Sequence, residues 1–261
     1  MLDEPYRWVE AIRNRREYLA DQLEGASPVV GVCYTNGVLL LTSTPGPRKV
    51  FEVYNQVAFA GVGHPADIEK LRKAIIDIAH VEAFNLSASD VSLQRLVAFG
   101  LGPVMKAAFD EIFRSPHIAR VVVSELDPSD SLETFYTIDA DGSFSSSGSA
   151  AAVAGTVDSA TAIIEHLKGG AHGEASLEDA LARALEAWAV GRVYAGREED
   201  KSTEDDEAVP AATEEELVAA VRGALETGRI EAAVLDRTMP TKTKFRLLTE
   251  AETTGALARF R

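Results

Sequence analysis

The most constraining feature of this sequence is a pair of apolar runs, Val29-Val30-Gly31-Val32-Cys33-Tyr34 and Val38-Leu39-Leu40-Leu41, held apart only by Thr35-Asn36-Gly37. Asn-Gly between such runs marks an antiparallel hairpin, because both residues tolerate the positive φ that a tight turn demands. Ahead of it, Tyr6, Trp8, Val9, Ile12, Leu19 and Leu23 fall at near-helical spacing, with Arg13, Arg15 and Arg16 clustered between them. This predicts an amphipathic helix over 6–24 that leads into the hairpin. A turn on Pro45-Gly46-Pro47 then opens a second strand pair, 49–54 and 57–60, ending in Gly61-Val62-Gly63.

Two helices follow with no strand between them. One starts at Pro65 and carries Ile68, Leu71, Ile75 and Ala79; the other, capped by Ser89 or Asp90, carries Leu93, Leu96, Val97, Leu101, Met105 and Ile112. Strands return at 118–126 and 132–138, and Asp139-Ala140-Asp141-Gly142 turns the chain into one more short extended piece. A second helix pair, 157–167 and 177–194, has Ser176 as N-cap with Asp179 at the third helical position. A short helix near 214–225, a strand pair at 230–235 and 244–248, and a closing helix complete the chain. Helices arriving in pairs between hairpins argue against βαβ crossovers. The predicted fold is an α+β, four-layer αββα sandwich of two antiparallel sheets.

With 261 residues and 46% apolar content, one domain of this kind can bury a sizeable core. The single cysteine, Cys33, sits mid-strand as a buried structural thiol; it permits no intramolecular disulfide and no thiolate cluster for zinc or iron–sulfur chemistry. No basic flank with an apolar core opens the chain, and no apolar run approaches a membrane span, so a cytoplasmic protein with no membrane partner is expected. The net charge of −15 repels a polyanion and argues against nucleic-acid binding. Much of that charge is local: 197–216 carries ten carboxylates against Arg197 and Lys201. So charged a run predicts a solvated acidic insert.

Three motifs resolve into ordinary structure. Gly61-Val62-Gly63-His64-Pro65-Ala66 mimics a dinucleotide-binding turn, but that fingerprint needs a parallel βαβ unit, and a glycine turn with Pro65 at the first helical position suffices. Asp139-Ala140-Asp141-Gly142 has Ala150 where a calcium loop needs its final carboxylate. The five histidines, His64, His80, His117, His166 and His172, show no metal-ligand spacing. Neither a metal nor a cofactor is expected.

The segments 11–20, 29–40 and 48–61, with the later pair 230–236 and 244–248, resemble the proteasome subunit family, and the helix ahead of the first strand resembles its α-type branch in divergent bacterial form. The similarity runs in order and spacing from about 6 to 250, apart from the acidic insert; 83–87 lacks the Arg-Gly-Tyr-like stretch common in α subunits. It implies the N-terminal-nucleophile hydrolase architecture, divided into a gate segment with its helix, 1–26, and a sandwich domain, 27–261. It also implies a heptameric ring of copies, stacked on β-type catalytic subunits and docked by an ATPase or other ring activator through its C-terminal tails. On this resemblance Met1, Leu2, Asp3, Glu4, Pro5 and Tyr6 form the pore gate, and Lys49 with Gly63 lines the activator pocket.

Catalytic members of that family use an N-terminal threonine with its own amine as base, supported by an aspartate and a lysine. The corresponding positions here are Ser27, Ser43 and Lys49, so only the lysine matches. The expected role is a non-catalytic ring and gate subunit. The alternatives are a serine-type N-terminal-nucleophile hydrolase that exposes Ser27 by self-cleavage, and a solitary module that recruits partners through its acidic insert.

Overall fold

The computed structural model describes residues 4–87, 91–111, 113–126, 134–169, 173–199 and 211–260. The leading helix α1 spans Glu4–Leu23 and feeds β1 (Val29–Tyr34), β2 (Gly37–Thr44), β3 (Val50–Tyr54) and β4 (Val57–Gly63). Next come α2 (Pro65–Asn85), α3 (Leu93–Arg95), a π-helical segment Leu96–Leu101 and α4 (Gly102–Asp110). Strands β5 (Ala119–Glu125), β6 (Thr134–Ile138), β7 (Phe144–Ser147) and β8 (Ala150–Val153) precede α5 (Val157–Leu167), α6 (Leu177–Glu199) and α7 (Glu214–Thr227). The chain closes with β9 (Arg229–Asp236), β10 (Phe245–Leu247), α8 (Glu250–Leu257) and a 3₁₀ turn.

Two five-stranded sheets result, ordered β10-β9-β2-β1-β8 and β3-β4-β5-β6-β7, with every paired strand antiparallel. Strand alternation explains how they stack. In β1 and β2, Val30, Val32, Leu39 and Leu41 face the layer holding Leu181, Leu185 and Trp188 of α6, whereas Val29, Cys33, Val38 and Leu40 face the other sheet's Ala58, Ala60 and Val122. Both faces of this hairpin are covered, so its residues are buried throughout. Gly31 sits on the inter-sheet face, where an added Cβ would stand 2.7 Å from the Phe135 ring. On the outer side of the second sheet, Ile68, Leu71, Ile75 and Ala79 of α2 pack with Leu96, Val97, Leu101 and Met105. The four αββα layers are thus as the sequence predicts. The leading helix is docked as well, with Leu19 and Leu23 buried.

Several local expectations shift. The first hairpin turns on Thr35 and Asn36, with Tyr34 paired to Gly37, one residue ahead of the Asn-Gly pair. The helix expected to begin at Ser89 or Asp90 starts at Leu93 behind Ser92; Ser89 and Asp90, like Ile112, lie outside the described residues. Ser92 makes no side-chain cap, and Glu125 Oε2 instead accepts from the Leu93 N–H at 3.1 Å, closing the helix start from β5. The single extended piece after Gly142 is two strands, β7 and β8, which belong to different sheets. Of the expected solvated loop at 197–216, both ends are helical, because α6 continues to Glu199 and α7 begins at Glu214. Residues 200–210 lie outside the described residues.

Candidate functional site

The crossover from β2 to β3 carries Lys49 and passes from one sheet to the other at the end of the sandwich where α1 hands over to β1. Its turn is fixed by Thr44, whose hydroxyl donates to Pro47 O at 2.9 Å and accepts from Gly46 N at 3.2 Å. The backbone of Lys49 is held on both sides: its carbonyl accepts from Gly61 N at 3.1 Å, and its N–H donates to Glu231 Oε2 at 3.0 Å. Glu231 Oε1 accepts from Val50 N at 3.2 Å. One buried carboxylate on β9 of the first sheet therefore anchors the start of β3 in the second.

Charges converge here. The Lys49 side chain turns toward Ser43, donating from Nζ to its carbonyl oxygen at 3.4 Å. Burial pushes the ammonium below the ordinary lysine range; Glu231 opposes that fall and Arg192 adds to it. Burial likewise pushes the Glu231 carboxyl up, against the two backbone donors and the nearby Arg229 and Arg48. Glu231 is thus a single buried anion among Arg48, Lys49, Arg192 and Arg229, a local cationic excess in a chain of net charge −15.

The Ser27 segment is clamped from α6 and β2. Trp188 Nε1 donates to Ser27 Oγ at 3.1 Å, Arg192 Nη1 to Gly25 O at 2.7 Å, and Thr42 Oγ1 to Pro28 O at 2.7 Å. Ser43 is buried in β2 opposite Ile230. The positions the sequence aligns with a nucleophile set, Ser27, Ser43 and Lys49, thus do gather at one end of the sandwich. Gly63 reaches the same end of β4, two residues beyond Gly61. Its φ of +125° and the 2.1 Å at which a Cβ would meet Ile118 O account for glycine there. Pro65 opens α2 and His64 Nδ1 accepts from Ala66 N, so the glycine turn is structural, and β4 pairs antiparallel on both sides. Asp139–Gly142 is a turn closed by Gly142 N to Asp139 O at 2.9 Å. Among the described residues no cluster of His, Cys, Asp and Glu is placed to hold a metal.

Of the residues expected to form a gate, Met1, Leu2 and Asp3 lie outside the described residues, and Glu4, Pro5 and Tyr6 belong to the first turn of α1. Glu231, Arg192 and Trp188 are the site residues that sequence reading misses. A carboxylate inside the apolar run Ile230-Glu231-Ala232-Ala233-Val234-Leu235 was the available signal for Glu231.

No protein-family model matches the chain. Curated relatives do. It is 28% identical over 244 residues to a protein named proteasome subunit alpha from Actinosynnema mirum, covering 91% of this chain and 81% of that one. The protein of the same name from Pseudarthrobacter chlorophenolicus is 25% identical over 258 residues, 95% of this chain and 96% of its own. That from Frankia alni is 28% identical over 184 residues, 69% and 74% respectively. Along nearly its whole length, on two packed antiparallel sheets with a docked leading helix, the chain is thus similar to bacterial proteins named proteasome subunit alpha, which supports a divergent α-type subunit.

Proposed function

We propose that this chain is a non-catalytic proteasome α subunit that forms the outer ring in the cytoplasm, gates entry to a chamber of β-type subunits, and docks an activator's C-terminal carboxylate at Lys49. The observation that carries the reading is the cationic end of the sandwich. Glu231 fixes the Lys49 backbone through two hydrogen bonds, and the ammonium uses one long contact of its three donors. A carboxylate arriving there gains a charge-assisted bond to a half-buried cation with Arg48, Arg192 and Arg229 near by. Gly63, at the same end of β4, is taken as part of this site by resemblance alone, since the place of its missing side chain is filled by Ile118 O. The clamped Ser27, whose hydroxyl already accepts from Trp188, and Ser43 in place of an acid both speak for a subunit that cuts nothing.

The test is Lys49→Ala in the assembled complex. Activator-tail affinity is expected to fall roughly tenfold or more while unassisted hydrolysis of small peptides stays unchanged. Lys49→Arg restores it only in part, since a planar guanidinium fork does not reproduce a compact ammonium. Lost turnover with unchanged docking would refute the proposal in favour of a catalytic Lys49. For the gate, deleting residues 1–6 is expected to speed small-peptide hydrolysis by the complex, and an unchanged rate with intact assembly would remove the gating role.

A further inference from the structure

A second surface lies on the far side of the first sheet, where α5, α6 and α7 meet the C-terminal 3₁₀ turn. They enclose an open groove of about 820 Å³. Its floor is apolar, built from Ala162 of α5, Val190 of α6, Leu217 and Val218 of α7, and Phe260. Its rim is acidic on every helix: Asp158 and Glu165 on α5, Glu186 on α6 and Glu214 on α7. Against these carboxylates stand Arg259 and His166, the latter 3.6 Å from Glu186, while Glu165 is paired with Lys168.

We propose that this groove docks a cationic amphipathic helix of a partner protein. An apolar trough of this size, flanked by helices, suits the apolar stripe of an incoming helix laid along it. Acidic residues on all three walls select Lys or Arg on the helix flanks and reject acidic segments, this chain's own carboxylate-rich surface included. Asp158 and Glu214 sit in the first turns of α5 and α7. The groove shares no residue with the Lys49 site, so it offers a second, independent attachment point of opposite charge preference.

The test uses the full chain and a fluorescein-labelled 18-residue helical peptide with Leu on one face and Lys on the other, followed by anisotropy. The double substitution Asp158→Lys with Glu214→Lys is expected to weaken binding at least tenfold, and Asp158→Asn with Glu214→Gln to weaken it less while leaving the circular dichroism spectrum unchanged. Val218→Ser, which leaves the acidic rim intact, weakens it as well. A control with the same change in net charge, Glu10→Lys with Asp77→Lys on α1 and α2, leaves it within about twofold. Equal losses in rim and control variants would reduce the binding to overall charge and overturn the proposal. Peptide binding that appears only when 200–210 is deleted would assign the groove to the chain itself, and a monomer–dimer shift abolished by the rim variants would assign it to a second copy. Either result overturns the proposal.

Discussion

The inner end of the sandwich and the outer helical groove hold charge in opposite ways. At the inner end one buried carboxylate, Glu231, sits among cations and spends its oxygens on backbone N–H groups. At the outer groove exposed carboxylates stand on helix rims over an apolar floor. Buried charge of the first kind fixes geometry, because breaking one partner leaves the others desolvated and unpaired. Rim charge of the second kind fixes little in the fold and governs which partner approaches, with a strength that salt erodes. Two charged regions of one chain therefore respond to mutation differently, one through stability and the other through binding.

The largest expected effect follows from Glu231→Ala, which strands the Lys49 and Val50 N–H groups at the crossover and removes the anion nearest Lys49. A loss of about 2–4 kcal/mol in denaturant unfolding is expected. A loss under half a kcal/mol would break the claim that this residue fixes the crossover. Glu231→Gln costs less, since its amide oxygen still accepts a backbone bond.

The same pair has a definite pH dependence. Because burial raises the folded carboxyl of Glu231 above its ordinary 4.5, its contribution is fully present below that value and is lost as pH rises through the raised one. The Lys49 ammonium is depressed below 10.5, so its contribution is fully present above that value and is lost as pH falls through the depressed one. Glu231 opposes the fall of the Lys49 ammonium, so the two are coupled, and the double variant Lys49→Met with Glu231→Gln should lose less stability than the two single losses added together. Lys49→Ala alone should cost only about 1 kcal/mol or less, because its side chain is half-buried and lightly bonded. Strict additivity of the two singles would contradict the coupling.

The smallest effect is expected near the groove. Arg197 near the end of α6 grips Glu216 in the first turn of α7, and with Thr213 it lowers the Glu216 carboxyl to about 2. That contribution is present above the ordinary 4.5 and is lost as pH falls through about 2. Both partners are partly exposed, so Arg197→Ala should lower the unfolding temperature only slightly, and the difference should shrink in high salt. A large, salt-independent drop would move this contact into the same class as Glu231.

How much of this was legible depends on how local the controlling interaction is. The buried face of α2, Ile68, Leu71, Ile75 and Ala79, follows from 3.6-residue spacing, and the first hairpin from its turn residues. The Ser176 cap on α6 was readable for the same reason. The start of the helix after α2 was not, because a carboxylate from β5 substitutes for the cap. Nor was the departure of β8 from its hairpin neighbour into the other sheet, which depends on its pairing with β1. At the site, Lys49, Ser27 and Ser43 were identifiable by resemblance, but the bond from Lys49 N to Glu231 spans 182 positions. Only a lone acid in an apolar strand hinted at it.

A ring subunit that keeps its leading segment and leaves cutting to others is distinguished by mass. The chain co-expressed with a β-type subunit would be weighed intact by native mass spectrometry and then as denatured single chains. Assembled rings whose α chains retain their full 28.0 kDa, residues 1–26 included, are the expected result. Chains shortened to begin at Ser27, in a preparation that hydrolyses peptides without any β-type subunit, would contradict it.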